Sequence, residues 1–238
     1  MTAFILKLIA IITMLFDHTS FLIYNGASFS WMRCVGRIAF PIFAFQISEG
    51  YVHTKNIKKY YIRLFIFALI SEIPFAWFYY IYIGDFSVDV IFTLLFGLLS
   101  INLYDMFTNY SKNNAKSIQI LYKFVSFTFI GIIAFLAEKL SFDYGYYGVL
   151  LILLFYIFRD KKILMNIFAI ILTFIYYMPR FIKYNFHKYY ILLFFCTLIP
   201  LIFINLYNNK QGKKIKWLFY VFYPLHLLII CIIQQFII

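Results

Sequence analysis

The side chains able to do chemistry in this sequence are few, and they sit where they cost the most. Seven ionisable residues lie inside long apolar runs: Asp17, His18, Arg37, Glu49, Arg63, Glu72 and His226. A charge at the centre of a membrane helix costs at least about 3 kcal/mol, so each implies an ion pair, a helix-locking hydrogen bond or a site. Histidine is the side chain that takes and releases a proton near neutral pH, which singles out the adjacent pair Asp17–His18. Adjacent helical residues point about 100° apart, so Asp17 is not set to orient His18 within one straight helix. Thr13 and Asp17 share one face; Lys7, Ile11, Met14 and His18 share another. From chemistry alone two readings stand. His18 moves a proton, or Asp17 pairs with Arg37 and His18 bonds a carbonyl merely to lock helices together.

Proline marks the same places. In 33-RCVGRIAFPIFAFQISEG-50, Gly36, Ala39, Ala44, Ser48 and Gly50 permit close helix approach, and Pro41 frees the carbonyl of Arg37 and predicts a kink. Glu72 stands beside Pro74 in 71-SEIPF-75, and Tyr223, Pro224 and His226 share 220-YVFYPLHLL-228. Three prolines at depth, each near an ionisable group, predict broken helices lining a cavity. At 1.5 Å per residue, His18 lies roughly 22 Å into the first helix. Asp17, His18 and Arg37 therefore share the half of the membrane away from the N-terminus. Glu49 and Arg63 fall together near the opposite face, which predicts an ion pair, and Glu72 and His226 fall near mid-membrane.

The elements that must hold these groups are transmembrane helices. Hydrophobic residues make up 65% of the 238 residues and charged residues 13%, against nearer half and a quarter in soluble domains. Disorder, a collagen repeat and a disulfide scaffold are excluded. Nine candidate helices follow, at about 3–24, 34–52, 61–82, 89–107, 118–138, 144–158, 163–178, 189–207 and 217–237, in one all-α domain over 1–238. The sixth and seventh are short for a hydrocarbon core of about 30 Å. With nine spans, twelve loop Lys and Arg fall on one side (Lys55, Lys58, Lys59, Lys112, Lys116, Arg159, Lys161, Lys162, Lys210, Lys213, Lys214, Lys216). Five fall on the other (Arg33, Lys139, Arg180, Lys183, Lys188). Positive loops stay cytoplasmic, so the N-terminus is predicted inside, and the basic loop 179–188 is the exception. The net charge of +12 follows from that topology and calls for no nucleic acid. Cys34, Cys196 and Cys231 read as packing residues. Neither a phosphate-binding glycine loop nor a metal-spaced cluster occurs.

The pieces 7-KLIAIITMLFDHTS-20, 33-RCVGRIAFPIFAFQISEGYVHT-54, 59-KYYIRLFIFALISEIPF-75, 91-IFTL-94, 143-DYGYYGVLLILLFY-156 and 218-LFYVFYPLHLL-228 together resemble the TraX family of membrane proteins. They keep the family's order across nearly the whole chain. Before FTL, where the resemblance leads one to expect Asn, stands Asp89, and 208-NNKQGKK-214 replaces a pattern like NGKRG. The resemblance implies a multi-pass acetyltransferase of a bacterial inner or plasma membrane. The family's namesake acetylates the N-terminus of conjugative pilin subunits. The wider group it resembles includes heparan-α-glucosaminide N-acetyltransferase, where acetyl-CoA binds on the cytoplasmic side.

On that resemblance acetyl-CoA is the donor substrate, with no metal, and the acceptor is an amine or hydroxyl of a protein N-terminus or surface glycan. His18 is the expected general base, with Asp17, or a carboxylate from another span, stabilising its imidazolium. Arg37, or a backbone N–H near Pro41, is expected at the oxyanion. Arg63 with Lys55, Lys58 and Lys59 is assigned the coenzyme phosphates. Arg37, Tyr223 and His226 are assigned to the coenzyme side of the cavity, and Glu49 and Glu72 to its substrate side. Two other readings stay open: a transporter or flippase for a small or lipid substrate, and a structural subunit of a membrane assembly. The acceptor and a homo-oligomeric state are left open.

Overall fold

The computed structural model describes residues 1–24, 30–213 and 216–236, without the side chains of 216–219. Lys214, the side chain of Lys216 and residue 237 of the ninth candidate helix lie outside the described residues. All nine apolar segments are helical, and two of them are broken. The elements are α1 (Ala3–Ile23), α2 (Trp31–Gly36), α3 (Ala39–His53), α4 (Ile57–Tyr82), α5 (Val90–Ser111), α6 (Lys116–Lys139), α7 (Gly145–Ile157), α8 (Lys162–Lys183), α9 (Lys188–Leu198), α10 (Pro200–Asn205) and α11 (Lys216–Phe236). Among the described residues six stretches are long and apolar enough to cross a membrane: α1, α4, α5, α6, α8, and α9 continued into α10. Shorter apolar helices stand among them, and the chain is an all-α, polytopic membrane protein.

Of the three prolines expected to break helices only Pro41 stands at a break; Pro74 and Pro224 lie inside the continuous α4 and α11, whose packing carries them past the lost bond. Each break that does occur has a local cause. Pro41 has no N–H to give, so it sits in the first turn of α3, where no helical acceptor is needed, and the chain leaves helical register at Arg37–Ile38. Pro200 starts α10 in the same way. Short polar side chains start several helices by accepting an otherwise orphaned N–H. Ser30 accepts from Met32 at 3.1 Å, Asn56 from Lys59 at 2.9 Å and Asp89 from Ile91 at 3.1 Å. The seventh candidate helix is longer than predicted. Pro179 does not end it, and α8 continues to Lys183, so Arg180 and Lys183 belong to a helix end rather than to an external loop. The sixth is as short as predicted, at 13 residues, or about 20 Å.

Short turns between successive helices reverse the chain and leave two rims. At one rim the N-terminus is held by the segment before α11: Ala3 N–H donates to the Lys210 carbonyl at 2.9 Å and Phe4 N–H to that of Gln211 at 3.1 Å. The Asp105 carboxylate accepts from Tyr51 and Tyr156 there, at 3.0 Å each. Lys55, Lys58, Lys59, Lys112, Lys116, Arg159, Lys161, Lys162, Lys210 and Lys213 all lie in the turns of this rim or in the first turn of a helix that leaves it. At the other rim, residues 87–89 and 141–143 clasp each other. Val88 N–H donates to the Ser141 carbonyl and Asp143 N–H to that of Val88, both at 2.9 Å. This clasp satisfies backbone groups that a short α7 would otherwise leave orphaned away from water. The core lies where α3, α5 and α7 meet, around Phe40, Ile42, Leu98, Ile101, Tyr147 and Ile152.

Candidate functional site

His18 on α1 and His226 on α11 meet although 208 residues separate them. His18 Nδ1 lies 2.7 Å from His226 Nε2, and the rings are 4.9 Å apart and near parallel, at 22°. His226 is buried, at 5% exposure, and its Nδ1 lies 2.8 Å from the Phe222 carbonyl one turn earlier. Phe78 meets the edge of His18 at 5.3 Å and Tyr223 lies 6.3 Å from it. Aromatic rings therefore wall a pair of which His226 is buried and His18 half-buried.

Beneath the pair a cavity of about 400 Å³ opens toward the basic rim. Its outer lining includes Lys7, Glu49, His53, Arg63, Asn209 and Gln211, and Met14, Val90 and Tyr223 line its inner part. Arg63 Nε–H donates to the Tyr220 hydroxyl at 3.1 Å, and its guanidinium lies over the Tyr60 and Tyr220 rings. Gly50 keeps the wall thin here, since a Cβ on it would fall 2.6 Å from the Tyr60 hydroxyl. Lys55 on the α3–α4 turn and Lys58 and Lys59 in the first turn of α4 are exposed beside the mouth and do not line the cavity.

The expected ion pair between Glu49 and Arg63 is not formed. Glu49 meets His53 instead, one turn along the same helix, at 3.8 Å, and Arg63 is taken up by the tyrosines. Both side chains still line the one cavity. Helix spacing favours the i,i+4 partner, whereas the Arg63 contact needs α11, which nothing in residues 49–63 announces.

Asp17 and Arg37 lie on the far side of the histidines from the cavity mouth. Arg37 Nη2 donates to the Asp17 carboxylate at 3.2 Å, and Arg33 Nε approaches it at 3.9 Å. Arg37 Nη1 reaches the Tyr144 hydroxyl at 3.4 Å, and its Nε–H is buried with no partner. A Cβ at Gly36 would fall 2.3 Å from Asp17 Cβ, so glycine is what lets α2 deliver these arginines. The group against His18 is thus His226; Asp17 is committed to the arginines. Arg37 and His226, both assigned to the coenzyme, stand outside the cavity lining, whereas Tyr223 is inside it.

The sequence reading passes over a second polar layer. Asp89 is fully buried. Its carboxylate accepts from the Ser71 hydroxyl and the Ile91 N–H, and its own N–H donates to Glu72 Oε2 at 3.0 Å. Glu72 therefore acts on the backbone at the start of α5 and is not in the cavity lining. Asp143 precedes α7, and its carbonyl accepts from the Thr93 hydroxyl. Burial pushes the Asp143 carboxyl up to about 6, against the pull of Arg37. The signals were present: Asp89 and Asp143 are carboxylates each next to an apolar run, and Asp89 has no Lys or Arg near it in sequence. Among the described residues no group of three His, Cys, Asp or Glu is arranged to hold a metal ion.

The chain is 28% identical to the "Probable fimbrial assembly protein FimC, serogroup H1" of Dichelobacter nodosus, over 99% of this chain and 96% of that protein. No solved structure matches it. The family model described as TraX protein matches residues 3–234, which include α1, both histidines and nearly all of α11. The chain belongs to the TraX family.

Proposed function

We propose that this protein is a membrane acetyltransferase that moves an acetyl group from acetyl-CoA to an amine or hydroxyl. One observation carries the reading. A cavity runs from the basic rim to Tyr223, whose ring adjoins both members of a histidine pair held at depth. The basic rim is cytoplasmic by the positive-inside rule, in a bacterial inner or plasma membrane, so the donor enters from the cytoplasm. Arg63 and Lys7 line the way in, and Lys55 and Lys59 stand at the entrance to draw the coenzyme phosphates. The pantetheine arm extends along the cavity and brings the thioester toward His18. His18 takes the proton of the acceptor as its nitrogen or oxygen attacks the thioester carbonyl. The aromatic wall keeps water from the thioester. The unpartnered Arg37 Nε–H is the donor left for a developing oxyanion. The acceptor arrives from the opposite rim. The name of the D. nodosus relative favours an N-terminal amine of a surface-fibre subunit over a glycan.

The test is purified protein with radiolabelled acetyl-CoA and a peptide bearing a free N-terminal amine. Label should move to the peptide, and His18→Ala should abolish transfer while the protein elutes folded. Absence of both binding and turnover with wild type sinks the acetyltransferase reading and leaves transport of a small substrate through the same cavity.

A further inference from the structure

We infer that His226 is a positioning residue that sets His18 as a base at one particular atom, Nε2. The inference rests on the acyl-transfer reading for its chemistry, but its geometry stands alone. A backbone carbonyl can only accept. The 2.8 Å contact of His226 Nδ1 with the Phe222 carbonyl therefore puts the proton of a neutral His226 on Nδ1. Nε2 of that ring then carries a lone pair. Its partner at 2.7 Å, His18 Nδ1, must be the donor. With its one proton on Nδ1, neutral His18 presents an unprotonated Nε2. Free imidazole side chains prefer the other tautomer, so the carbonyl sets the state of His18 through a second ring.

The same chain of bonds decides where a captured proton goes. When Nε2 of His18 takes a proton, the new charge strengthens the Nδ1–H···Nε2 bond and spreads onto His226. There it stops, because the next group is a carbonyl oxygen, which accepts the hydrogen bond from Nδ1 but is too weak a base to take the proton. The proton leaves by the nitrogen it entered. In acyl transfer the acceptor's N–H or O–H proton moves to His18 Nε2 as the bond to the carbonyl carbon forms. The C–S bond then breaks, and the proton passes from Nε2 to the departing thiolate. Amine and thioester become amide and thiol, the imidazole is regenerated, and nothing is oxidised or reduced. One nitrogen serves as base and then as acid.

The experiment is nitrogen NMR of full-length protein labelled at histidine, with the two rings assigned through His18→Gln and His226→Gln. The expected wild-type spectrum has Nδ1 protonated and Nε2 unprotonated on both rings. His226→Gln keeps an acceptor oxygen near the Nε2 position and should keep the His18 tautomer and most of the turnover. His226→Leu fills the space without an acceptor. It should release His18 to the Nε2–H form and lower kcat by on the order of 10²-fold. A wild-type His18 protonated at Nε2, or an unchanged His18 tautomer in His226→Leu, overturns the inference. The wild-type spectrum decides even where the leucine variant does not fold. Correct tautomers without acetyl transfer would remove the acetyltransferase reading and leave the positioning role intact. Transfer with the opposite tautomer would do the reverse.

Discussion

The ion cluster of Asp17, Arg33 and Arg37 lends itself to a quantitative test. The perturbations are Asp17→Asn, Arg37→Gln and the two combined. At an effective dielectric of about 20, unit charges at the Arg37–Asp17 distance of 3.2 Å attract by about 5 kcal/mol, and at the Arg33 distance of 3.9 Å by about 4 kcal/mol. Burying the ions has already consumed much of that, so the net worth of the cluster is small. Removing the single anion is another matter, because it leaves two arginines uncompensated; such a loss costs about 3–5 kcal/mol when the partners are fully buried. These side chains keep 14–22% of their exposure, which brings the expectation for Asp17→Asn to about 3 kcal/mol. In the double variant only Arg33 remains unpaired, and Arg33 also lies over the Phe21 ring at 4.3 Å. The double variant should therefore be more stable than the sum of the singles implies, with a coupling of about 2 kcal/mol. Unfolding of the three variants by titration with a denaturing detergent reads these differences. A cost below about 0.5 kcal/mol for Asp17→Asn, or strict additivity, would show that the cluster does not lock α1 to α2 and would free Asp17 for a role in chemistry.

Gly36→Ala drives a methyl group to 2.3 Å from Asp17 Cβ and should lower stability in the same titration by about 1–3 kcal/mol; an alanine variant as stable as wild type would mean α2 can move aside. Arg63→Ala removes one of the two cations, with Lys7, in the cavity lining and should weaken acetyl-CoA binding about tenfold or more, with the gap narrowing at high salt. Calorimetric titration of both proteins checks it, and equal affinities would remove Arg63 from the donor site. Asp143 supplies a pH prediction. Its carboxyl is raised from 3.8 to about 6, so the folded state holds its proton more tightly than the unfolded one. The stability it contributes is therefore complete below about pH 4 and lost as pH rises through 6. Relative to Asp143→Asn, wild type should lose on the order of 2 kcal/mol across that interval, less than the full shift implies because the residue is only half-buried. Parallel pH profiles of the two proteins would refute it.

How far these features can be read from residue order depends on what sets each one. Apolar runs of about 20 residues state that a helix is present, and all nine were legible. Proline states only where a helix can break: Pro41 and Pro200 stand at the breaks of the second and eighth segments, whereas Pro74 and Pro224 lie inside unbroken helices. Pro179 did not act as a stop, because a proline removes one bond and tilts a helix without ending it when packing continues on its far side. Here Phe181, two residues later, is buried against Tyr177 and Leu193. Depth along the axis was also legible, which is why Asp17 with Arg37, and Glu49 with Arg63, were assigned to the right rims. Depth alone does not choose partners. That choice needs the rotation of each helix about its axis, and rotation is set by packing with helices distant in the chain. Asp17 with Arg37 came out because Gly36 lets consecutive helices close on each other. Glu49 with Arg63 failed because α11 inserts Tyr220 beside the arginine.

The histidine pair is the extreme of the same limit. His18 and His226 were each recognisable as polar groups held at depth, but the residues that bring them together are not near either. The first turn of α1 is tied to Lys210 and Gln211 by backbone bonds, and Gly212, at a φ of 73° open chiefly to glycine, lies with its Cβ position 2.7 Å from the Thr2 hydroxyl. A side chain at 212 would press the segment before α11 away from the start of α1. Since α1 and α11 carry one histidine each, the alignment of two rings well over a dozen ångström up the helices is set partly at the rim, by a strap with no chemistry of its own. A site assembled from the two ends of a chain depends on the residues that dock those ends, and these lie outside any pattern of catalytic side chains.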